Sequence, residues 1–375
     1  MHSQIYEQIV ALRHQLHAHP ELSLKEHWTK QTLMDFLRQH TSLEVVDRGA
    51  WFYAFYRCPL PNATAIAFRA DFDAIAITDA RSDLSYHSQC PGVSHGCGHD
   101  GHSAALCGLA LALEEQGAHH DVYLIFQHAE EIGAGGEACA ALLKEKNIRR
   151  VYAMHNLSGY PEHAVIYREG LTQCASRGLS FVFHGTTCHA SQPEDGCNPA
   201  FAVAELIQTS RTLLDTTSFE GLVLCTVIHA EVGQENFGIA ASEGRLSLTL
   251  RADREDELAT LEGLLRAEAE RLAQRDGLTW DVTIHDPFPE TRNDADALAT
   301  VCEAATELGL SLQTLAEPWR ASEDFGWYTK VCPGAMFYIG SGENHPALHT
   351  ETYDFNDDIL ETAVALFLKI EQHTP

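Results

Sequence analysis

The stretch AIAFRADFD, residues 65–73, is an apolar strand pattern that runs directly into two aspartates. A long apolar helix pattern follows at about residues 102–115, and a second short apolar run, VYLIFQ, stands at residues 122–127. Short apolar strands that alternate with helices are typical of βαβ units. The first half of the chain is therefore predicted to form an α/β domain around a mostly parallel sheet.

Potential ligands and bases follow three predicted strands at the point where each strand ends. In open α/β sheets, functional sites form outside the carboxyl ends of the strands, so side chains from different strands meet there. Carboxylates and imidazole delivered to one edge by three strands indicate a functional site rather than a contribution to stability. The residues concerned are Asp71 and Asp73 after residues 65–69, Glu130 and Glu131 after residues 122–127, and His155 after residues 151–154.

The alternation changes near Cys174, where a βαββαβ order typical of a ferredoxin-like fold begins. We expect a catalytic mixed-sheet α/β sandwich domain formed by residues 1–173 and 287–375, with residues 174–286 inserted as a second domain. A chain of 375 residues is long enough for two hydrophobic cores. The predicted elements of the insertion are strand 179–184, helix 198–214, strands 222–230 and 244–253, helix 255–275 and strand 278–285.

The bulk composition argues against several classes of partner. The formal net charge of −28 repels phosphate backbones and anionic membrane surfaces. No apolar run approaches the ~20 residues of a membrane span, and the N-terminal residues have the spacing of an amphipathic helix rather than a signal peptide. The 11 Cys lie singly without a CxxC pair, which disfavours a zinc ribbon or a thioredoxin-type redox site. We therefore expect a cytoplasmic protein that binds neither nucleic acid nor membranes.

The segment GCGHD, residues 96–100, stands just before the long helix pattern. Cys97 and His99 are two residues apart in a Gly-rich turn and can face a common point. The positive helix start favours the thiolate, which is the form of Cys that binds metal. A buried Cys beside a helix-capping Asp100 explains the same residues equally well.

The pair Glu130-Glu131 is also compatible with a solvent-exposed helix start that has no catalytic role, because adjacent acidic residues are usually exposed. Adjacent side chains leave the backbone in different directions, however, so one carboxylate can bind metal while the other acts as a general base. Near the C-terminus, either His345 or His349 would complete a set of N, O and S ligands suited to zinc or a neighbouring transition metal. Either histidine is also compatible with an ordinary loop.

Taken together, these motifs resemble the M20 metallopeptidase clan. Within it they are similar to the amidohydrolase branch that includes hippurate hydrolase, auxin-conjugate hydrolases and N-acetyl-diaminopimelate deacetylase. The matching stretches occur in family order and cover almost the whole chain. They are RHQLH at 13–17, PELS at 20–23, RADFD at 69–73, CGHD at 97–100, EE at 130–131, MHN at 154–156, HAS at 189–191 with Pro193, SEDF at 322–325 and HT at 349–350.

The resemblance implies two divalent metal ions, either zinc or manganese, nickel or cobalt. Glu130 would be the general base and Asp73 would orient the site. Asp71 stands where the wider clan has a ligand His, so His99 would replace the lost ligand. We expect Cys97 to bridge the two ions. The implied ligands are Cys97, His99, Glu131, His155 and His349.

The inserted domain is implied to be a lid and a dimerisation domain. His189 would reach a substrate carbonyl in the partner subunit, and Asn236 and Arg251 would contact the polar end of the substrate. A guanidinium binds a carboxylate through two parallel hydrogen bonds, although an ion-paired residue at a strand end explains Arg251 equally well. The sequence departs from the branch at QHA, residues 127–129, and at QENFGIAA, residues 234–241, which leaves the role of Asn236 and the substrate open.

The sequence therefore predicts a homodimeric metallo-amidohydrolase that cleaves the amide bond of a small N-acyl amino acid. Deacetylation of an N-acetylated biosynthetic intermediate, such as N-acetyl-diaminopimelate, is an alternative. A hydrolase with Cys97 as nucleophile and His99 as base would leave the other implied ligands without a role. A non-catalytic metal-binding or peptide-binding module would leave Glu130 without one.

Overall fold

The computed structural model describes residues 3–375, and the chain divides into two compact units. The first unit comprises the chain up to Thr172 together with Thr291–Trp319 and Glu323–Pro375. The second unit comprises Gln173–Glu290 and Arg320–Ser322. None of the helices within the described residues combines the length and apolar character needed to span a membrane.

The elements of both units are as follows. The helices are α1 Ser3–Ala18, α2 His27–His40, α3 His99–Gln116, α4 Gly136–Glu145, α5 Ala200–Thr216, α6 Glu255–Asp276, α7 Ala295–Glu307, α8 Gly326–Thr329 and α9 Ile359–His373. The strands are β1 Glu44–Asp47, β2 Phe52–Tyr56, β3 Ala65–Asp71, β4 Asp121–Gln127, β5 Arg150–Leu157, β6 Val165–Tyr167, β7 Gly170–Gln173, β8 Ala175–His184, β9 Val223–Val232, β10 Glu243–Ala252, β11 Thr279–Phe288, β12 Thr291–Asn293, β13 Leu312–Thr314 and β14 Gly334–Gly340.

The first unit contains an eight-stranded mixed sheet in the order β1-β2-β4-β3-β5-β14-β6-β13. The four central strands are parallel, whereas β1, β2 and β6 join their inner neighbours antiparallel. Side chains alternate across this sheet, so that Phe68 packs on one face and Ala67 on the other. One core also contains α3 and α9, and the opposite core contains α4. The result is a sandwich with helices on both faces of the sheet.

Helix α3 lies at the centre of the first core. All of its residues from His99 to Leu113 are buried. A helix that is apolar on all sides is typical of a fully buried position. Its N-terminus is therefore held firmly, which fixes the residues that lead into it.

The second unit contains a four-stranded antiparallel sheet in the order β11-β8-β10-β9. Along the chain its elements follow the order β8-α5-β9-β10-α6-β11, which is the predicted βαββαβ pattern. Apolar side chains of α5 and α6 pack against β8 and β10 in one core. The predicted fold class, a mixed-sheet α/β domain with a separate smaller sheet domain, is confirmed.

The borders of the second unit lie near the predicted ones. Strand β11 continues past residue 286 because Phe288 still pairs with Ser176 of β8. Residues 320–322 also group with the second unit. No sequence pattern indicated this, because the grouping depends on contacts between distant parts of the chain.

The prediction that a strand ends just before His155 is wrong. Strand β5 continues to Leu157, because β14 pairs with it in parallel as far as Leu157 and Gly340. His155 is therefore held inside a strand, opposite Tyr338, rather than in a loop.

Candidate metal centre and active site

A tight left-handed turn leads into α3 and sets the direction of Cys97. Gly98 has a φ of +91°, which favours glycine. A Cβ at this position would lie 2.5 Å from Asn156 Oδ1 and 2.7 Å from the Tyr353 hydroxyl, so no other residue fits without a shift. The turn places the Cys97 thiol 3.4 Å from His155 Nε2.

The orientation of the two buried imidazole rings is set by acceptors behind them. His99 Nδ1 lies 3.0 Å from the Asp73 carbonyl and 3.1 Å from Asp73 Oδ1. His155 Nδ1 lies 2.6 Å from the Asn156 carbonyl. Because these partners only accept hydrogen bonds, both Nδ1 atoms donate and the Nε2 atoms of the neutral rings keep their lone pairs. Such support behind the ring is typical of a metal-binding His.

Asp73 holds a second part of the site. Its Oδ2 accepts hydrogen bonds from the Ser23 hydroxyl at 2.7 Å and from the Glu131 backbone N–H at 3.0 Å. One carboxylate thus connects His99 to the backbone of Glu131. The orienting role expected of Asp73 stays a prediction.

The five residues expected to bind metal lie in overlapping groups within the first unit. In each group, the potential ligand atoms lie within 4.8 Å of one another. His99 Nε2 is 3.7 Å from Glu131 Oε1, and His349 Nε2 is 3.6 Å from Glu131 Oε2. The relevant groups are Cys97 with His99 and His155, Cys97 with Glu131 and His349, and His99 with Glu130 and Glu131.

Two buried atoms of these groups indicate whether a metal ion would fit the site. His99 Nε2 and Glu131 Oε1 are buried, and neither has a hydrogen-bond partner among the described residues. A buried polar atom without a partner costs about 1–3 kcal/mol. A cation between the two atoms would satisfy both. The donor set of thiolate, imidazole and carboxylate is also the one that zinc and its neighbours prefer.

The electrostatics of the site agree with this fit. Burial lowers the pKa of His99, but the negative charges of Asp71 and of the Cys97 thiolate outweigh it, and the pKa is well above its usual value. Burial, and then the nearby Glu131 carboxylate, raise the pKa of Cys97. Hydrogen bonds to Cys97 and Glu131 raise the pKa of His349 to about 10. Protons therefore occupy this cluster where a cation would replace them on binding.

Glu130 shares His99 with Glu131 as a neighbour but also lies against acidic residues that Glu131 does not approach. It is 5% exposed and forms a group with Glu323 and Asp324. Its Oε1 accepts the Asp324 backbone N–H at 3.4 Å. Burial, followed by the charges of Glu323 and Asp324, raises its pKa well above the usual value. Two adjacent acids thus lie in two distinct environments.

Residues 67–372 match the profile of peptidase family M20/M25/M40. The chain belongs to this family. N-acetylcysteine deacetylase of Bacillus subtilis (strain 168) is 25% identical to it over 375 residues, which cover 97% of this chain and 96% of that protein. N-acetyldiaminopimelate deacetylase of Bacillus velezensis is 25% identical over 366 residues, 96% of each chain.

A solved structure extends the M20 comparison to the fold. The YXEP protein of Bacillus subtilis, described as a dinuclear metal binding peptidase from the M20 family, superposes with a TM-score of 0.80. It is 24% identical, and the match covers 98% of each chain, so this likeness shows the fold. The present chain is thus an M20 hydrolase of the amidohydrolase or deacetylase type, with residues grouped for metal binding.

The structure distinguishes the two C-terminal histidines of this M20 enzyme. His349 joins the group with Cys97 and Glu131, although its side chain is 54% exposed. His345 lies 3.3 Å from the Ser158 hydroxyl and has its Nδ1 3.2 Å from the Pro346 carbonyl. Of the two, only His349 therefore stands with the other potential ligands.

The remaining predicted site residues of the M20 enzyme belong to the second unit. His189 and Asn236 are exposed, and each forms local hydrogen bonds, to Ser191 and to the Gly238 backbone respectively. Arg251 is half-buried and donates to the Arg320 carbonyl and the Ser322 hydroxyl. The roles of these three residues stay predictions.

Two buried residues near the M20 site were missed by sequence reasoning. His102 lies with Nδ1 2.6 Å from Asp71 Oδ1 and Nε2 2.7 Å from Asn156 Oδ1. Its spacing of three residues from His99 puts both on one face of α3, and this was the available signal. Arg69 is completely buried and pairs with Asp71 and Asp324, each at 2.7 Å. A charged residue inside an apolar strand pattern indicates such pairing.

Proposed function

We propose that this M20 enzyme uses two divalent metal ions to hydrolyse the amide bond of a small N-acyl amino acid to a carboxylic acid and an amine. The observation that carries the proposal is the arrangement of buried donors. Two groups of potential ligands share Cys97, and a further carboxylate, Glu130, lies beside them with partners of its own. Metal ligands plus a spare base are what metal-assisted amide hydrolysis requires.

The proposed ligands divide naturally between two ions. Cys97 belongs both to the group with His99 and His155 and to the group with Glu131 and His349, so it would contribute to the binding of both ions. The donor types suit zinc, or manganese, nickel or cobalt. Bound ions would polarise the scissile carbonyl and make water acidic enough to lose a proton near neutral pH.

Glu130 would act as the general base and then as the general acid. Its carboxylate would take the proton from the attacking water and deliver it to the leaving amine. This role is supported by its burial and by its position beside Glu323 and Asp324, whereas Glu131 lies beside Cys97 and His349. Asp73 would hold His99 and the Glu131 backbone in fixed positions relative to Glu130.

The substrate proposal is supported by the relatives. One is named an N-acetylcysteine deacetylase and another an N-acetyldiaminopimelate deacetylase. An N-acetylated biosynthetic intermediate such as N-acetyl-diaminopimelate is therefore a second candidate. Asn236 and Arg251 would bind the polar end of the substrate. His189, contributed by the second copy of a cytoplasmic homodimer, would hold the developing oxyanion.

The proposed chemistry is tested with a panel of N-acyl amino acids that varies both halves of the molecule. Metal-reconstituted protein should hydrolyse at least one member, and a chelator should abolish the activity. Activity that survives chelation but is lost to a thiol reagent would instead favour Cys97 as nucleophile. A protein that binds metal and hydrolyses no panel member would favour a binding module.

The two adjacent acids provide the matched pair of variants. Glu130→Gln should keep its bound metal and lose about 10²–10⁴-fold in kcat, because an amide cannot accept the proton. Glu131→Gln should lose bound metal first, with activity following. Metal per chain is measured beside kcat for both. The reverse pattern would exchange their roles, and full activity of Glu130→Gln would refute the mechanism.

A further inference from the structure

The residue directly before Glu130 has an unusual backbone. Ala129 has a φ of +50°, in the left-handed region that residues other than glycine rarely adopt. It is also completely buried. Such a conformation persists only where surrounding contacts hold it, and it is enriched at functional sites.

A carboxylate from the N-terminal part of the chain holds this residue. The Ala129 N–H donates to Glu26 Oε1 at 2.8 Å. Glu26 is 5% exposed and occupies the N-cap position of α2, yet its side chain does not cap that helix. Ser, Thr, Asp and Asn are the residues whose side chains usually cap a helix from this position, so the carboxylate of Glu26 is available to bind elsewhere. Here it is directed to a residue 103 positions away.

Carboxylates bind the backbone on both sides of Glu130. Glu26 accepts the N–H of Ala129, and Asp73 accepts the N–H of Glu131. The carbonyls of Ala129 and Glu130 accept the N–H groups of residues 134 and 133, at 3.0 and 2.8 Å. The only backbone group of Ala129 that the turn itself does not hold is therefore the N–H that Glu26 binds.

We propose that Glu26 is a positioning residue for Glu130 and acts through the backbone of Ala129. Its hydrogen bond stabilises the left-handed conformation of Ala129, and this conformation sets the direction in which the Glu130 side chain leaves the chain. The inference rests on the proposed function of Glu130 as the base. It adds a specific requirement, which is a hydrogen-bond acceptor at position 26.

The test is a cycle of variants at positions 26 and 129. Glu26→Ala should lower kcat by about tenfold to a hundredfold, since small misplacements of a catalytic group have effects of this size. KM and metal per chain should change less than about twofold, because Glu26 belongs to none of the groups of potential metal ligands among the described residues. Glu26→Gln keeps an acceptor oxygen and should lose far less. In Glu26→Ala/Ala129→Gly, glycine adopts the left-handed backbone freely, so most of the kcat should return.

A matched control comes from the same segment. Glu21 also uses its carboxylate to bind a backbone N–H, that of Thr29 at 2.8 Å, but at the start of α2. Glu21→Ala should lower stability without lowering kcat. A loss of kcat in Glu21→Ala equal to that in Glu26→Ala would overturn the inference, because both losses would then reflect general destabilisation of this segment.

A stability cycle separates this inference from the proposed function. The urea midpoint should fall in Glu26→Ala, and the fall should be smaller when residue 129 is Gly. The inference would be overturned if the changes in urea midpoint caused by the two substitutions were additive. It would also be overturned if Ala129→Gly did not restore the kcat lost in Glu26→Ala. Coupled midpoints in a protein that hydrolyses no amide would support the Glu26–Ala129 coupling and overturn the proposed function alone.

Discussion

Replacing Arg69 by Met should destabilise the first unit strongly. The Arg69 guanidinium is buried inside β3 and lies 2.7 Å from carboxylate oxygens of Asp71 and Asp324 and 2.9 Å from one of Glu323. Methionine matches much of the side-chain volume but carries no charge. The perturbation therefore removes the cation while largely keeping the packing.

The size of the loss in unfolding free energy depends on which partners each carboxyl group keeps without Arg69. Asp71 keeps His102 as a partner, 2.6 Å away. Burial raises the pKa of Asp324 to about 8 even though Arg69 lowers it, and loss of Arg69 would raise it further, so in the variant this carboxyl would be mainly protonated at pH 7. Glu323 loses the guanidinium and keeps the backbone N–H of Phe325, 3.0 Å from its Oε1. Breaking a buried pair in this way costs about 3–5 kcal/mol, a large part of a typical stability of about 5–15 kcal/mol.

The pH dependence has a definite sign. A carboxyl whose pKa is raised in the folded state contributes stability that is present below its unfolded pKa and lost as the pH rises through its folded pKa. Without Arg69 the folded pKa of Asp324 would rise further above about 8. The deficit of Arg69→Met should therefore be larger at pH 9 than at pH 6.

Urea unfolding monitored by Trp fluorescence, with a chelator present, measures this deficit apart from any loss of metal. Arg48→Met is the control, because Arg48 pairs with Glu145 at 2.8 Å with side chains 35% and 40% exposed. Such a surface pair contributes at most about 1 kcal/mol. Equal small losses in the two variants at both pH values would refute the reasoning.

Three further predictions concern the site and its supports. Gly98→Ala should lower the free energy of unfolding by about 2–4 kcal/mol, the sum of a left-handed alanine and overpacking. Gly159 has a φ of +84° and open space around a Cβ, so Gly159→Ala should lower the free energy of unfolding by only about 1 kcal/mol. Equal losses in the two variants would contradict the steric argument. Burial raises the pKa of Glu26 to about 7 from 4.5, so wild-type stability should fall as the pH rises through this range. Glu26→Gln removes this dependence. The unfolding free energy of the wild type minus that of the variant should therefore change by about 3 kcal/mol between pH 4 and pH 8. Parallel pH profiles of the two proteins would be inconsistent with a buried ionisable Glu26. His102→Phe should weaken metal binding about 10–100-fold by competition titration. The control His163→Phe, at a partly buried histidine that lies beside Thr362, should not weaken it, and equal affinities of the two variants would exclude a supporting role for His102.

Local patterns in the sequence were sufficient for the fold class and for much of the candidate site. The strand at residues 65–69 and the long buried helix were predicted because apolar periodicity reflects the face of an element that is buried. The positions of Asp73 and Glu131 after strand ends indicated an edge where side chains converge. The resemblance to the M20 clan then supplied their expected roles, which geometry alone does not assign.

Only the tertiary structure decided the features that depend on contacts between distant residues. Strand β5 extends through His155 because β14 lies beside it, and no local pattern contains that information. Arg69 and Asp324 are 255 positions apart, and Glu26 and Ala129 are 103 apart. A sequence shows which side chains are able to bind a carboxylate or an N–H group. Which partner each one meets is decided by chain packing, and so the support behind Glu130 became visible only in the folded protein.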